Sequence, residues 1–192
     1  EGLPLTGEFS ALRSAKLGLT RPELAKLVAY SKINLFDAIV ASSAPDDPAF
    51  KAPLKEYFPK ELWKFEDQMA RHRLRREIIA TQLADDLVNR CGPSFVDRIK
   101  EISRARTVTV ALSFEAARRI FELEDMVDRI NALDNKVSAS AQIALHQRVG
   151  GALRRAVTYL ARNAGFESET PPTILEVVER YLESVRDQRA TI

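Results

Sequence analysis

An all-α fold is predicted for this 192-residue chain, an irregular bundle of about seven to nine helices around one core. Three observations predict it. Apolar residues recur at helical spacing in most segments. Helix start and stop signals punctuate the chain where those patterns begin and end. Finally, no two segments form a convincing pair of strands. Apolar residues make up 45% and charged residues 29%, a balance that can build a core and argues against a disordered chain.

Residues 1–19 read as an irregular lead-in, with Gly2, Pro4, Gly7 and Gly18 spread through them. A sharp helix start follows. Thr20-Arg21-Pro22-Glu23 matches a capping box, in which the glutamate reaches back to the Thr20 amide. Pro22 falls in the first turn, where its missing N–H costs nothing. Leu24, Leu27, Val28, Leu35 and Ile39 continue the pattern to about Ser42, and Ala44-Pro45-Asp46-Asp47-Pro48 makes a turn. Residues 49–58 read as short turns with Phe50, Leu54, Tyr57 and Phe58 facing inward. A helix from Lys60 would carry Leu62, Phe65 and Met69.

The clearest period lies in Leu74 to Cys91. Leu74, Ile78, Ile79, Leu83, Leu87, Val88 and Cys91 form one stripe, and Gly92-Pro93 is a stop. Ser94 then opens a short helix with Phe95, Val96, Ile99 and Ile102. Residues 106–112, Arg-Thr-Val-Thr-Val-Ala-Leu, fit two descriptions. Their period-two alternation and β-branching suit a strand. Val108, Leu112, Ala116 and Ile120 at i+4 steps suit a helix capped by Thr107. A lone strand would have nothing to pair with, so helix is the adopted reading. Met126, Val127, Ile130 and Leu133 mark a short helix, and residues 133–137 a turn. Ser138 or Ser140 opens a long helix with Leu145, Val149, Leu153, Val157 and Leu160, interrupted by Gly150-Gly151 and ending near Gly165. The glycine pair is read as a kink or a close helix–helix approach. Residues 20–165 thus form the helical domain. A proline-containing break and a terminal helix (Ile174, Leu175, Val178, Tyr181, Leu182, Val185) complete 166–192 and pack on the same domain.

Chemistry is sparse. The seven glycines cannot be arranged into a dinucleotide or phosphate loop. His72 and His146 have no partner at a metal-ligand spacing. One cysteine, Cys91, excludes an internal disulfide and sits at a helix C-terminus, where a thiolate is disfavoured. Asp85-Asp86 point in different directions on a helix. Asp86 can pair with Arg90, and Asp125 with Arg129, at i+4. No catalytic, cofactor-binding or metal residue is assigned. The net charge is +2, with +1 in each half, too balanced for a nucleic-acid magnet. No run approaches the roughly 20 apolar residues of a membrane span. A Glu1 start and one cysteine give the expectation of a cytoplasmic piece of a longer protein.

The dense charge cluster is Arg71-His72-Arg73-Leu74-Arg75-Arg76. It is either an internal junction, braced through carboxylates such as Glu77 or Asp67, or a contact surface. Arg71, Arg73, Arg75 and Arg76 are therefore the candidate interface residues.

Residues 18–32 (Gly-Leu-Thr-Arg-Pro-Glu-Leu-Ala-Lys-Leu-Val-Ala-Tyr-Ser-Lys) resemble the C-terminal region of the large bacterial NAD-specific glutamate dehydrogenases. So do residues 71–90 (Arg-His-Arg-Leu-Arg-Arg-Glu-Ile-Ile-Ala-Thr-Gln-Leu-Ala-Asp-Asp-Leu-Val-Asn-Arg), Tyr57-Phe58-Pro59 and Leu133-Asp134-Asn135-Lys136-Val137. The resemblance covers about 10–165. It departs at Arg73, where the family has proline, and at Asp85, where it has asparagine. It implies a parent enzyme that oxidatively deaminates L-glutamate to 2-oxoglutarate and ammonia while reducing NAD. The family's catalytic lysine and aspartate and its nucleotide fold lie upstream of this region, so no catalytic residue maps here and NAD belongs to the parent. The implied partners are the dehydrogenase core of the same chain and neighbouring subunits, for a structural, oligomerisation or regulatory domain. The alternative is an independent module that puts the 71–76 cluster on an anionic partner; nucleic acid and membrane are not expected partners.

Overall fold

A computed structural model describes residues 3–190, with side chains to residue 184. Ten α-helices and no strand occur among them: α1 Thr6–Ser14, α2 Arg21–Val40, α3 Lys51–Tyr57, α4 Glu66–Ala70, α5 Arg75–Cys91, α6 Phe95–Ser103, α7 Thr107–Ile120, α8 Leu123–Asn131, α9 Ala139–Asn163 and α10 Ile174–Ala190. Short 3₁₀ turns fill 44–46, 48–50 and 60–65.

The count exceeds the expected seven to nine for two reasons. Residues 1–19, expected to be irregular, contain α1. Its start is closed by the Leu5 amide donating to Glu8 Oε2 at 2.6 Å. Residues 49–58, expected to be short turns, contain α3. The segment from Lys60, expected to be one helix, is a 3₁₀ turn followed by α4 and adds nothing to the count. At the start of α2 and the end of α5 the chemistry acts as anticipated, whereas Ser94 precedes α6 without a side-chain cap bond. Glu23 accepts from the Thr20 amide at 2.7 Å at the start of α2. Gly92 ends α5 with φ +87°, a conformation open to glycine at no steric cost.

Residues 106–112 are helical, and α7 is the axis of the bundle. Thr109, Val110, Ala111 and every residue from Ser113 to Ala117 are buried. α9, α10, α2, α6, α5 and α8 all pack on it. A helix enclosed on most sides is free to use β-branched residues, and the Thr107–Val110 run therefore also suits a strand. Thr107 is the first helical residue rather than its cap. α5 lies along α2 and also touches α7. Its Ile79, Leu83, Leu87 and Val88 are buried, whereas Leu74 precedes the helix and is half exposed. Ile174 and Val177 of α10 belong to the same core; the Val185 side chain lies outside the described residues. Gly150 and Gly151 do not interrupt α9, which runs through them, and no neighbouring atom lies within 4 Å of a Cβ placed at Gly150.

Candidate functional site

The arginine cluster is split by the fold. Arg75 and Arg76 open α5 and turn back onto the end of α2. Both pair with Asp46, and Arg76 Nη2 donates to the carbonyls of Val40 at 3.0 Å and Ser42 at 2.5 Å. Arg76 thereby satisfies carbonyls that the end of α2 leaves without intrahelical donors. Burial pushes the Asp46 carboxyl up, but the guanidiniums of Arg76 and Arg75 outweigh it and hold the group below its ordinary range. The brace uses Asp46, about thirty residues upstream, and not the nearby Glu77 or Asp67. Arg71 and Arg73 are exposed and make no ion pair among the described residues. Two of the four candidate interface arginines are thus occupied inside the domain, and two are open.

The open pair sits on an excursion between α3 and α5. The His72 ring packs edge-on against Phe58 at 5.6 Å, and its Nδ1 accepts from the Leu74 amide at 3.2 Å. Tyr57 meets Phe58 edge-on at 5.3 Å. Trp63 Nε1 donates to the Phe58 carbonyl at 3.0 Å, and Lys55, paired with Glu66 at 2.6 Å, lies over the Trp63 ring at 5.6 Å. This local lattice fixes the excursion but leaves much of its apolar surface in solvent. Tyr57, expected to face inward, is exposed by 56%, and Leu62, Phe65 and Leu74 are exposed by 42%, 44% and 50%. Phe50 and Leu54 are buried as expected, Phe58 is half-buried, and Met69 is buried. Exposed aromatics with unpaired arginines are the composition enriched at protein–protein contacts.

The remaining polar groups are engaged in structure. Asp86 pairs with Arg118 at 3.0 Å rather than with Arg90, which reaches Glu124 at 3.3 Å. The i+4 pair Asp125–Arg129 is present at 3.8 Å on an exposed face. Glu115, 1% exposed, was not singled out by its sequence context; it accepts from Arg118 Nη2 at 3.1 Å and Arg119 Nε at 2.7 Å. Burial pushes the Cys91 thiol up to about 12, so it stays protonated at neutral pH. Among the described residues no group of three His, Cys, Asp or Glu could hold a metal ion, and no helix is long and apolar enough to cross a membrane.

A family model described as glutamate dehydrogenase, C-terminal, matches residues 16–192. The chain belongs to this family. The glutamate dehydrogenase match extends through the terminal helix, beyond the 10–165 expected from the sequence blocks. The NAD-specific glutamate dehydrogenase of Pseudomonas aeruginosa is 40% identical over 164 residues, 85% of this chain and 10% of that protein. The protein of the same name from Halomonas elongata is 36% identical over 163 residues, 84% of this chain and 10% of its own length. The one from Mycobacterium tuberculosis is 34% identical over 149 residues, 77% and 9% respectively. The chain therefore spans about a tenth of the length of the curated relatives it matches.

Proposed function

We propose that this chain is the non-catalytic C-terminal domain of an NAD-dependent glutamate dehydrogenase. The parent enzyme converts L-glutamate to 2-oxoglutarate and ammonia in the cytoplasm and reduces NAD with its upstream core. The domain serves as a rigid platform that braces that core or a neighbouring subunit. One observation carries the platform reading: Arg75 and Arg76 are held by Asp46, whereas Arg71 and Arg73 make no ion pair among the described residues and lie beside exposed Tyr57 and Leu74. Guanidinium groups fork onto carboxylates and stack on aromatic faces, which suits such a contact. The use of Arg75 and Arg76 on Asp46 halves the charge available to an independent anion-binding module.

The test is the double variant Arg71→Glu/Arg73→Glu, made both in the 192-residue chain and in the full-length enzyme. In the short chain the melting temperature should stay within about 2 °C, the span of a surface change. In the full-length enzyme, assembly measured by light scattering or glutamate-dependent NADH formation should fall. A destabilised short chain would make these arginines an internal brace, and an unaffected full-length enzyme would remove the contact. The short chain alone should form no NADH from glutamate and NAD; turnover above a contaminant background would overturn the non-catalytic assignment.

A further inference from the structure

The N-terminal limb of the domain, α1 and the first half of α2, is built for a partner. α1 has nine residues and buries none of them. Isolated helices shorter than about 12–15 residues are marginal in water, so such a helix needs an apolar surface to lie against. The limb carries the means to meet one. Leu5, Phe9, Leu17 and Leu24 are all 41–75% exposed. A groove of about 670 Å³ opens beside α1, lined by Phe9, Leu12, Leu17 and Leu19 together with Arg13 and Lys16.

Its charges point to the occupant. Arg13, Lys16 and Arg21 make no ion pair among the described residues. The carboxylates nearest in sequence are spent on helix starts, Glu8 on the Leu5 amide and Glu23 on the Thr20 amide and hydroxyl. The limb is thus apolar with a net positive fringe, Arg13, Lys16, Arg21 and Lys26 against Glu8 and Glu23. A second copy meeting it about a two-fold axis would set like net charge against like. The family match begins at residue 16, so α1 precedes the C-terminal domain proper, and the curated relatives carry about nine-tenths of their length outside the matched stretch.

We propose that α1 and the start of α2 dock on the part of the same polypeptide that precedes this domain, on an apolar ridge bordered by Asp or Glu side chains. The limb is then the joint through which the platform is coupled to the rest of the enzyme. This inference rests on the chain being the C-terminal domain of a longer dehydrogenase, but it does not need the Arg71 and Arg73 contact.

Hydrogen–deuterium exchange on the full-length enzyme tests it. Amides of residues 6–19 should exchange at least about tenfold more slowly in the wild type than in Phe9→Asp/Leu17→Asp, with α5 unchanged in both. Arg13→Glu/Lys16→Glu, which keeps the apolar face, should speed the same amides. Fast exchange of 6–19 in the wild type, with 57–74 protected, would overturn this proposal and leave the platform reading standing. Protected 6–19 with unprotected 57–74 would do the reverse. Two further arms use the 192-residue chain. Dimerisation abolished by Phe9→Asp/Leu17→Asp would make the occupant a second copy. Cosedimentation with vesicles of phosphatidylcholine and phosphatidylserine, lost in the same variant, would make it a membrane surface; either result overturns the proposal.

Discussion

The carboxylate of Asp47 accepts a hydrogen bond from the backbone amide of Ile174 at 2.8 Å, linking two residues 127 positions apart. Its other oxygen accepts from the Ala49 amide at 2.9 Å. One side chain therefore caps the 3₁₀ turn at 48–50 and the first residue of α10. Thr173 and Glu176 complete the same helix start, with the Thr173 amide donating to Glu176 at 2.7 Å and the Glu176 amide donating to the Thr173 hydroxyl at 3.2 Å. Removing a cap costs about 0.5–2 kcal/mol, and this one serves two elements. Asp47→Ala should lose close to 2 kcal/mol in urea unfolding and speed amide exchange at the start of α10. Asp47→Asn, which keeps one accepting oxygen, should recover about half. An unchanged midpoint for Asp47→Ala would show that the terminal helix is held by Ile174 and Val177 packing alone.

Glu115 is a second fastener, local in its pairing at i+3 and i+4 and joined to a distant segment only through Arg119. It lies in the centre of α7 with both oxygens turned to Arg118 and Arg119; Arg119 also donates to the Ala49 carbonyl at 2.7 Å. Arg118 would keep Asp86 and Glu124, and Arg119 the Ala49 carbonyl, so the loss is that of charge-assisted hydrogen bonds, about 1.5–3 kcal/mol, rather than of a fully stranded pair. Glu115→Gln should therefore lower the melting temperature by roughly 3–12 °C at this chain length. Replacing all three residues by Leu or Met would leave only the half-exposed Asp86 without its arginine, and should cost less than stranding a buried charge. A fall below about 2 °C for Glu115→Gln would show that the arginines find water instead.

These two fasteners mark the boundary of what the sequence makes legible. α5 could be read directly because one face is buried and the other is wet, so Ile79, Leu83, Leu87 and Val88 recur at 3.6-residue spacing and Gly92 ends the run. α7 could be assigned only by exclusion, because its β-branched Thr107–Val110 start alternates like a strand while its i+4 series suits a helix. α1 was hard to see because it is nine residues long, starts on Thr6-Gly7 and buries no residue, so only Phe9 and Leu12 hint at a helical face. The arginine cluster was visible, but its division was not. Arg75 and Arg76 are bound by Asp46 and Asp86 by Arg118, and pairs about thirty residues apart leave no spacing signal. Family membership was readable from the 18–32 and 71–90 blocks, since it depends on identity along the chain and not on contacts.

Acid should weaken the domain through two carboxylates at non-local junctions. Glu167 accepts from the Arg106 amide at 2.7 Å and the Thr109 hydroxyl at 2.6 Å, tying the loop before α10 to the start of α7. Those bonds, the amide first, hold its carboxyl below the ordinary 4.5. Asp46, ordinarily 3.8, is held down by its two arginines against the opposing effect of burial. In both cases the unfolded state takes up its proton at a higher pH than the folded state. The stabilisation is therefore present above the ordinary value and is lost as pH falls through the folded one. Urea midpoints should hold steady from pH 7 to about 5 and fall below about 4.5. Glu167→Gln should be less stable than wild type at pH 7 and converge with it in acid. Parallel curves for the two proteins would remove Glu167 from the acid response.

The glycines of α9 give a prediction with the opposite sign. Gly150 is exposed in the interior of a 25-residue helix, and a Cβ there would meet nothing within 4 Å. Glycine in a helix interior costs about 0.8–1.0 kcal/mol relative to alanine, chiefly through the freedom of the unfolded chain. Gly150→Ala should therefore stabilise the domain by about 0.4–1 kcal/mol. Gly92 and Gly165 provide the contrast. Both have φ +87°, and Gly165 also has Pro172 at 3.7 Å from a placed Cβ, so alanine at either is strained. Gly92→Ala and Gly165→Ala should destabilise while Gly150→Ala stabilises, a difference in sign that thermal unfolding of the three variants reads directly. If Gly150→Ala raises the stability of the 192-residue chain but weakens assembly of the full-length enzyme, the exposed side of α9 is itself a contact surface. If it destabilises the short chain, α9 is bent at the glycine pair, and the uninterrupted helix is wrong.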